Sequence, residues 1–116
     1  MKYILDHDYH IHSHLSLCSD DPLQTTKAIL NYAEKNDYLD ICLTDHFWDE
    51  NIEGGNEFNF YKTQNFEHLR KALPLPESKL VKFYFGCETE MDRDMRLGIS
   101  KELIEQFDFV IIPTTH

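Results

Sequence analysis

Four short stretches rich in β-branched or aromatic residues alternate with helical patterns along this chain, and each runs directly into a potential metal ligand. Residues 3–9 (YILDHDY) lead to His10 and His12, and residues 40–44 (DICLT) lead to Asp45-His46. Residues 80–87 (LVKFYFGC) end at Glu88, and residues 107–112 (FDFVII) lead to His116. Pro22 opens the first helical pattern, with Thr26, Ile29, Leu30 and Ala33 at helical spacing. Residues 63–73 form the second, stopped by Pro74 and Pro76, and Ser100 caps a third that carries Leu103, Ile104 and Phe107. The order β-α-β-α-β-α-β argues for parallel strands joined by helical crossovers. Parallel α/β architectures bind ligands at the carboxyl ends of their strands, where successive loops converge. Here four independent strands would deliver imidazole or carboxylate to that one edge.

The spacing of the first motif is chemically specific. Alternate side chains of an extended segment share a face, so Asp8, His10 and His12 are expected to point the same way. Two imidazoles placed like this can grip one divalent ion. Neutral imidazole suits zinc, iron and other first-row metals, and a carboxylate can bridge two ions. Asp8 is placed to orient a ligand histidine. In the turn that follows, His14, Cys18, Asp20 and Asp21 are candidates for a further ligand, and Asp20 is the choice among them. Helix capping is the alternative role for Asp20 and Asp21. His14 reads as a surface residue, and His7 and His68 as structural ones. Seven histidines, five of them in the first 46 residues, agree with a metal site.

The chain has 116 residues, with 11 Lys+Arg against 21 Asp+Glu, for a formal charge of −10. That length suits one domain or part of one, and the acidic balance makes nucleic acid an unlikely partner. No run approaches the ~20 apolar residues that span a bilayer. The N-terminus turns acidic and histidine-rich too soon to be a signal-peptide core, so a cytoplasmic location without membrane association is expected. Cys18, Cys42 and Cys87 are widely spaced and odd in number, which fits reduced thiols, with Cys42 and Cys87 as small buried hydrophobes. The segment from Phe47 to Tyr61 is an aromatic, acidic loop with Gly54-Gly55, expected to pack over something. Phe47 and Trp48 could wall a substrate pocket. Arg93 and Arg96 could reach a substrate phosphate, the plainer role being a solvated loop paired with Asp92 and Asp94.

The string DYHIHSHLS resembles the opening Asp-x-His-x-His-Ser motif of the PHP (polymerase and histidinol phosphatase) family. LTDH at 43–46 is similar to that family's second motif, GCE at 86–88 to its third, and FDFVIIPTTH at 107–116 to its fourth. The order and rough spacing fit across residues 1–116.

The resemblance implies the first half, about four β/α units, of a distorted (β/α)7 TIM-like barrel. Two or three divalent ions (Zn, Mn or Fe) would sit at the carboxyl ends of its strands. It makes His10, His12, Asp20, His46, Glu88 and His116 the metal ligands, with Glu88 bridging two ions and Asp8 and Asp45 supporting the ligands. The implied activity is metal-dependent hydrolysis of a small phosphate monoester, histidinol phosphate being one family example. Clustered ions would acidify a water, orient the phosphate and neutralise charge on its oxygens. Three ions add about +6, so the formal charge falls to about −4, compatible with an anionic substrate.

The family's later His-Pro and Asp-x-His motifs are absent, and a full barrel needs roughly 200 residues or more. The expectation is therefore a PHP domain cut after its fourth ligand. Such a half-barrel has an open strand edge at 107–112 that would favour self-association. Two alternatives remain open: a metal-binding half-barrel without catalysis of its own, and a PHP nuclease module.

Overall fold

The computed structural model describes residues 6–19, 21–58 and 63–113. Asp20 and His116, two of the expected ligands, lie outside the described residues. The elements are β1 (His7–Ile11), α1 (Thr26–Lys35), β2 (Asp40–His46), α2 (Phe66–Leu69, continued by a 3-10 turn at Arg70–Ala72), β3 (Lys82–Glu88), α3 (Lys101–Ile104) and β4 (Phe109–Ile111). The strands form one sheet in the order β1-β2-β3-β4, and every neighbouring pair is parallel. The expected α/β alternation is thus present, with helical crossovers between successive parallel strands.

The sheet is strongly curled. Tyr9 on β1 stacks on Phe109 of β4 with ring centroids 5.2 Å apart, and Tyr84 of β3 meets Phe109 edge-on at 5.3 Å. In a flat sheet the two edge strands would be separated by three strand spacings, about 14 Å. The ring contact therefore needs the sheet to close part of the way into a barrel, with these aromatics on the inner face. The outer face carries the main core. Ile41 and Leu43 of β2 and Phe85 and Cys87 of β3 pack there with Ile29, Leu30 and Ala33 of α1 and with Leu69, Ala72 and Phe107. Period-two alternation sends Cys42 and Thr44 to the other side. Gly86 lies beneath them, and a Cβ there would come within 2.6 Å of the Phe109 carbonyl and 2.8 Å of Cys42 Sγ. The inner face at this level therefore has no room for a side chain on β3.

Local capping moves two helix boundaries away from the sequence expectation. The Asp21 side chain accepts a hydrogen bond from Leu23 N–H at 2.9 Å, so it serves its own turn. The cap of α1 passes to Thr25, whose hydroxyl accepts from Ala28 N–H. The second pattern yields only one α-turn, capped by Asn65, before tightening to a 3-10 turn. Ser100 caps α3 as expected, by accepting from Leu103 N–H at 3.3 Å. No described helix is long and apolar enough to cross a membrane.

The loop after β2 packs as the aromatic composition suggests, but with Trp48 inward. Trp48 is 1% exposed, and its indole N–H donates to the Ile52 carbonyl at 3.0 Å. The ring lies against Gly98 and Gly55, where a Cβ on Gly55 would approach it to 2.6 Å. Gly55 also has φ of 73°, which favours glycine on its own account. Trp48 is therefore the buried anchor of the loop and not the wall of an open pocket. Asp49, fully buried, accepts from Asn51 N–H and Ser100 N–H and so ties the loop to the cap of α3.

Burial, reinforced by the nearby Asp108 charge, pushes the Cys42 thiol up from 9.0 to about 12. A group whose pKa is raised by folding contributes stability that is complete below its unfolded pKa and is lost as pH rises through the folded value. Urea unfolding should therefore show wild-type stability falling between about pH 9 and about pH 12 more steeply than that of Cys42→Ala. Parallel pH profiles for the two proteins would contradict this placement of Cys42.

Candidate metal centre

The register of β2 on β3 sets the geometry. Seven consecutive pairs run from Asp40 opposite Lys82 to His46 opposite Glu88, so the last two residues of the adjacent strands face each other at the carboxyl edge. The Phe47 N–H then donates to the Glu88 carbonyl at 2.8 Å, which extends the pairing past the strand end. Glu88 is 6% exposed. Its Oε1 lies 3.2 Å from His10 Nε2, 2.9 Å from His12 Nε2 and 3.5 Å from His46 Nδ1. Three imidazoles from two strand ends thus converge on one carboxylate oxygen of a third.

β1 reaches this arrangement through an irregularity. Its pairing with β2 shifts register between Asp8 and Ile11. Strict alternation does not hold across that bulge, and the expected shared face of Asp8, His10 and His12 is corrected accordingly. Asp8 and Ile11 both line the cavity beneath α1, together with Ala28, Ile29 and Ile41. His10 and His12 reach Glu88 on the opposite side. Asp8 acts on His10 through the main chain, its Oδ1 accepting from His10 N–H at 3.0 Å.

Asp45 sits next to His46 and is 1% exposed. Its carboxylate accepts from Ser13 N–H at 2.6 Å, from the Ser13 hydroxyl at 2.7 Å and from the Ser16 hydroxyl at 2.6 Å. Ser16 Oγ in turn accepts from His46 N–H at 3.1 Å. The HSHLS turn is therefore pinned to the end of β2 directly behind the histidines. A second clamp comes from the α2 region. Gln64 donates to the Leu15 carbonyl at 3.0 Å and accepts from Leu17 N–H at 3.3 Å, and His68 Nε2 donates to the same Leu15 carbonyl at 2.7 Å. His68 is structural, as its helical position suggested, and His14 is exposed.

The donor set fits a divalent ion. Ligand atoms at about 2.0–2.1 Å from a tetrahedral ion lie roughly 3.3–3.4 Å apart, and the observed nitrogen–oxygen separations of 2.9–3.5 Å bracket that value. His10, His12 and Glu88 offer ligand atoms that all lie within 4.8 Å of one another, and so do His12, Cys18 and His46. Burial, with the His12 charge, holds the His46 imidazole below its usual pKa against the opposite pull of Glu88 and Asp45. This keeps His46 in the neutral form that binds metals. Cys18, one of the four candidates in the turn, has its Sγ 2.9 Å from His12 Nδ1. Its thiol is pushed up by burial and by the Glu88 and Asp45 charges, against a lowering contribution from a backbone hydrogen bond.

The expected phosphate-binding arginines are already engaged to different degrees. Arg96 pairs with Asp92 at 2.9 Å and with Asp94 at 2.8 Å, and its backbone N–H also donates to Asp92. Arg93 is held more loosely, 3.5 Å from Glu57, with its side chain 78% exposed. Compared with protein-family models, curated proteins and solved structures, the chain matches none of them.

The Asp45 cluster yields a stability prediction. Asp45→Ala removes three hydrogen bonds to a buried carboxylate and strands the Ser13 N–H, at roughly 1.5–3 kcal/mol for each bond to a charged group. We expect urea unfolding to report a loss of at least about 3 kcal/mol. A change within about 0.5 kcal/mol, typical of surface substitutions, would show that Asp45 does not anchor the turn.

Proposed function

We propose that this chain is the first half, about four β/α units, of a PHP-type barrel, and that it acts as a metal-dependent phosphoesterase on a small phosphate monoester. The observation that carries the reading is the convergence of His10, His12 and His46 on Glu88 Oε1 at a buried sheet edge. The first three motifs that resemble the PHP family end at or just past the ends of β1, β2 and β3, in the order that such a site requires, and the fourth runs through β4 into residues outside those described.

In this reading His10, His12, His46 and Glu88 would hold the ions. Bound divalent ions supply Lewis acidity toward phosphoryl oxygens and acidify a water at neutral pH. Zinc, iron and manganese all accept this kind of donor set. The protein's own contribution is positional. Asp45, through Ser13 and Ser16, fixes the turn that carries the ligand histidines, and Asp8 fixes the His10 backbone. Burial of Glu88 and partial burial of His46 shield one side of the centre from water and strengthen electrostatic interactions within it. Arg93, the more exposed of the two loop arginines, is the available partner for a substrate phosphate. The charge of −10 selects against a polyanionic substrate and favours a small one.

A second reading rests on the uncovered last strand. Phe109 is 42% and Ile112 40% exposed at the β4 edge, apolar surface that further strands would cover. A chain of this kind would hold metal without turning over substrate.

The test is hydrolysis of p-nitrophenyl phosphate and histidinol phosphate after chelation and reloading with zinc or manganese. The phosphoesterase reading predicts activity lost on chelation and restored by metal. Glu88→Gln should lower kcat/KM by at least about 100-fold, the upper scale on which even the hydrogen-bond partners of ligands act. Turnover insensitive to chelation would overturn the reading. Metal uptake without turnover would favour the non-catalytic half-barrel.

A further inference from the structure

We infer that Cys18 is a ligand of the metal centre and that its thiolate makes the site selective for a thiophilic ion such as zinc or ferrous iron over manganese or magnesium. This rests on the metal-centre reading above and adds to it the class of ion. The sequence choice for the turn ligand was Asp20, an oxygen donor, which would leave the centre with imidazole and carboxylate alone. Among the described residues of the turn, the one that the structure brings to the cluster is a sulfur donor. Cys18 Sγ lies 2.9 Å from His12 Nδ1, and Cys18, His12 and His46 form a triad with all ligand atoms within 4.8 Å.

His12 joins the two triads. Its Nε2 faces Glu88 at 2.9 Å and its Nδ1 faces Cys18 at 2.9 Å; a neutral imidazole binds an ion through one nitrogen, so the Cys18 position of the centre is the Nδ1 side of the ring. The turn that carries Cys18 is fixed on both flanks. Ser16 is bound to Asp45 and to His46 N–H, Leu17 N–H donates to Gln64, and Ser19 N–H donates to the Ser16 carbonyl at 3.0 Å. A sulfur held in a braced turn beside two imidazoles has the composition of a zinc-type donor set. Soft thiolate discriminates against manganese and magnesium, which prefer oxygen donors. The other two cysteines do not compete for this role at the surface, because Cys42 and Cys87 are both 0% exposed.

The test is cobalt(II) titration of the full chain, after chelation, followed by absorption spectroscopy of wild type and Cys18→Ser. Cys18 is exposed, so the substitution leaves the core intact. Ligation by Cys18 predicts a near-ultraviolet thiolate-to-cobalt charge-transfer band in wild type. Cys18→Ser should lose that band, keep visible ligand-field absorption from the histidines, and bind cobalt about 10–100-fold more weakly. Ligand-field absorption without a charge-transfer band in wild type would overturn the Cys18 assignment and leave the histidine–glutamate centre standing. A band that survives in Cys18→Ser would also overturn it, by placing the sulfur elsewhere. No cobalt uptake by wild type would overturn it together with the metal centre.

Discussion

The pairing of His46 with Glu88 across β2 and β3 is the constraint on which the candidate site depends. Because side chains alternate with period two, a slip of one residue in either strand would send one of these groups to the outer face. The outer face is fixed independently by Ile41, Leu43, Phe85 and Cys87, which are buried against the helices. Core packing and site geometry are therefore specified by the same register. The curl of the sheet adds the third contributor, since it turns the end of β1 toward the Glu88 carboxylate.

Two neighbouring acids show how differently a buried carboxylate can be accommodated. Asp45 is satisfied by three N–H and O–H donors from its own domain, which makes it an anchor for the turn. Glu88 has imidazoles as its ion-pair partners, and neutral imidazole compensates a buried charge poorly. A carboxylate in that setting is stabilised either by protonating its neighbours or by a cation among them. The depressed pKa of His46, driven first by burial, opposes protonation of that neighbour. This asymmetry between Asp45 and Glu88 is the physical basis for reading one as scaffold and the other as ligand.

Much of this arrangement was legible in the sequence because it follows from simple periodicities. Apolar runs ending in His, Asp or Glu marked the strand ends, and the His10-x-His12 spacing marked a shared face. The parts that were not legible depend on geometry with no local signature. The bulge between Asp8 and Ile11 moves Asp8 off the histidine face, and alternation alone cannot foresee it. Asp21 and Thr25 are both good capping residues, and the choice between them turns on the Asp21 side chain bonding within its own turn. Trp48 looked like a pocket wall because aromatics in loops often are, yet Gly55 in the same loop and Gly98, far along the chain, open the space that buries it. Cys18 was one of four candidates in its turn, and only the folded turn shows its sulfur beside His12. Ser13 and Ser16 carried a usable signal, two hydroxyls three residues apart beside an HxH motif, but their partner lies 32 and 29 residues further along.

The central claim is that His10, His12, His46 and Glu88 form a metal centre. X-ray absorption fine structure of the zinc-reconstituted chain tests it most directly, because imidazole rings leave a characteristic outer-shell scattering pattern. The account predicts tightly bound zinc in a low-coordination shell with scattering from at least two imidazoles, diminished in His12→Ala. A shell of oxygen atoms alone, or failure of the chain to retain zinc, would contradict it.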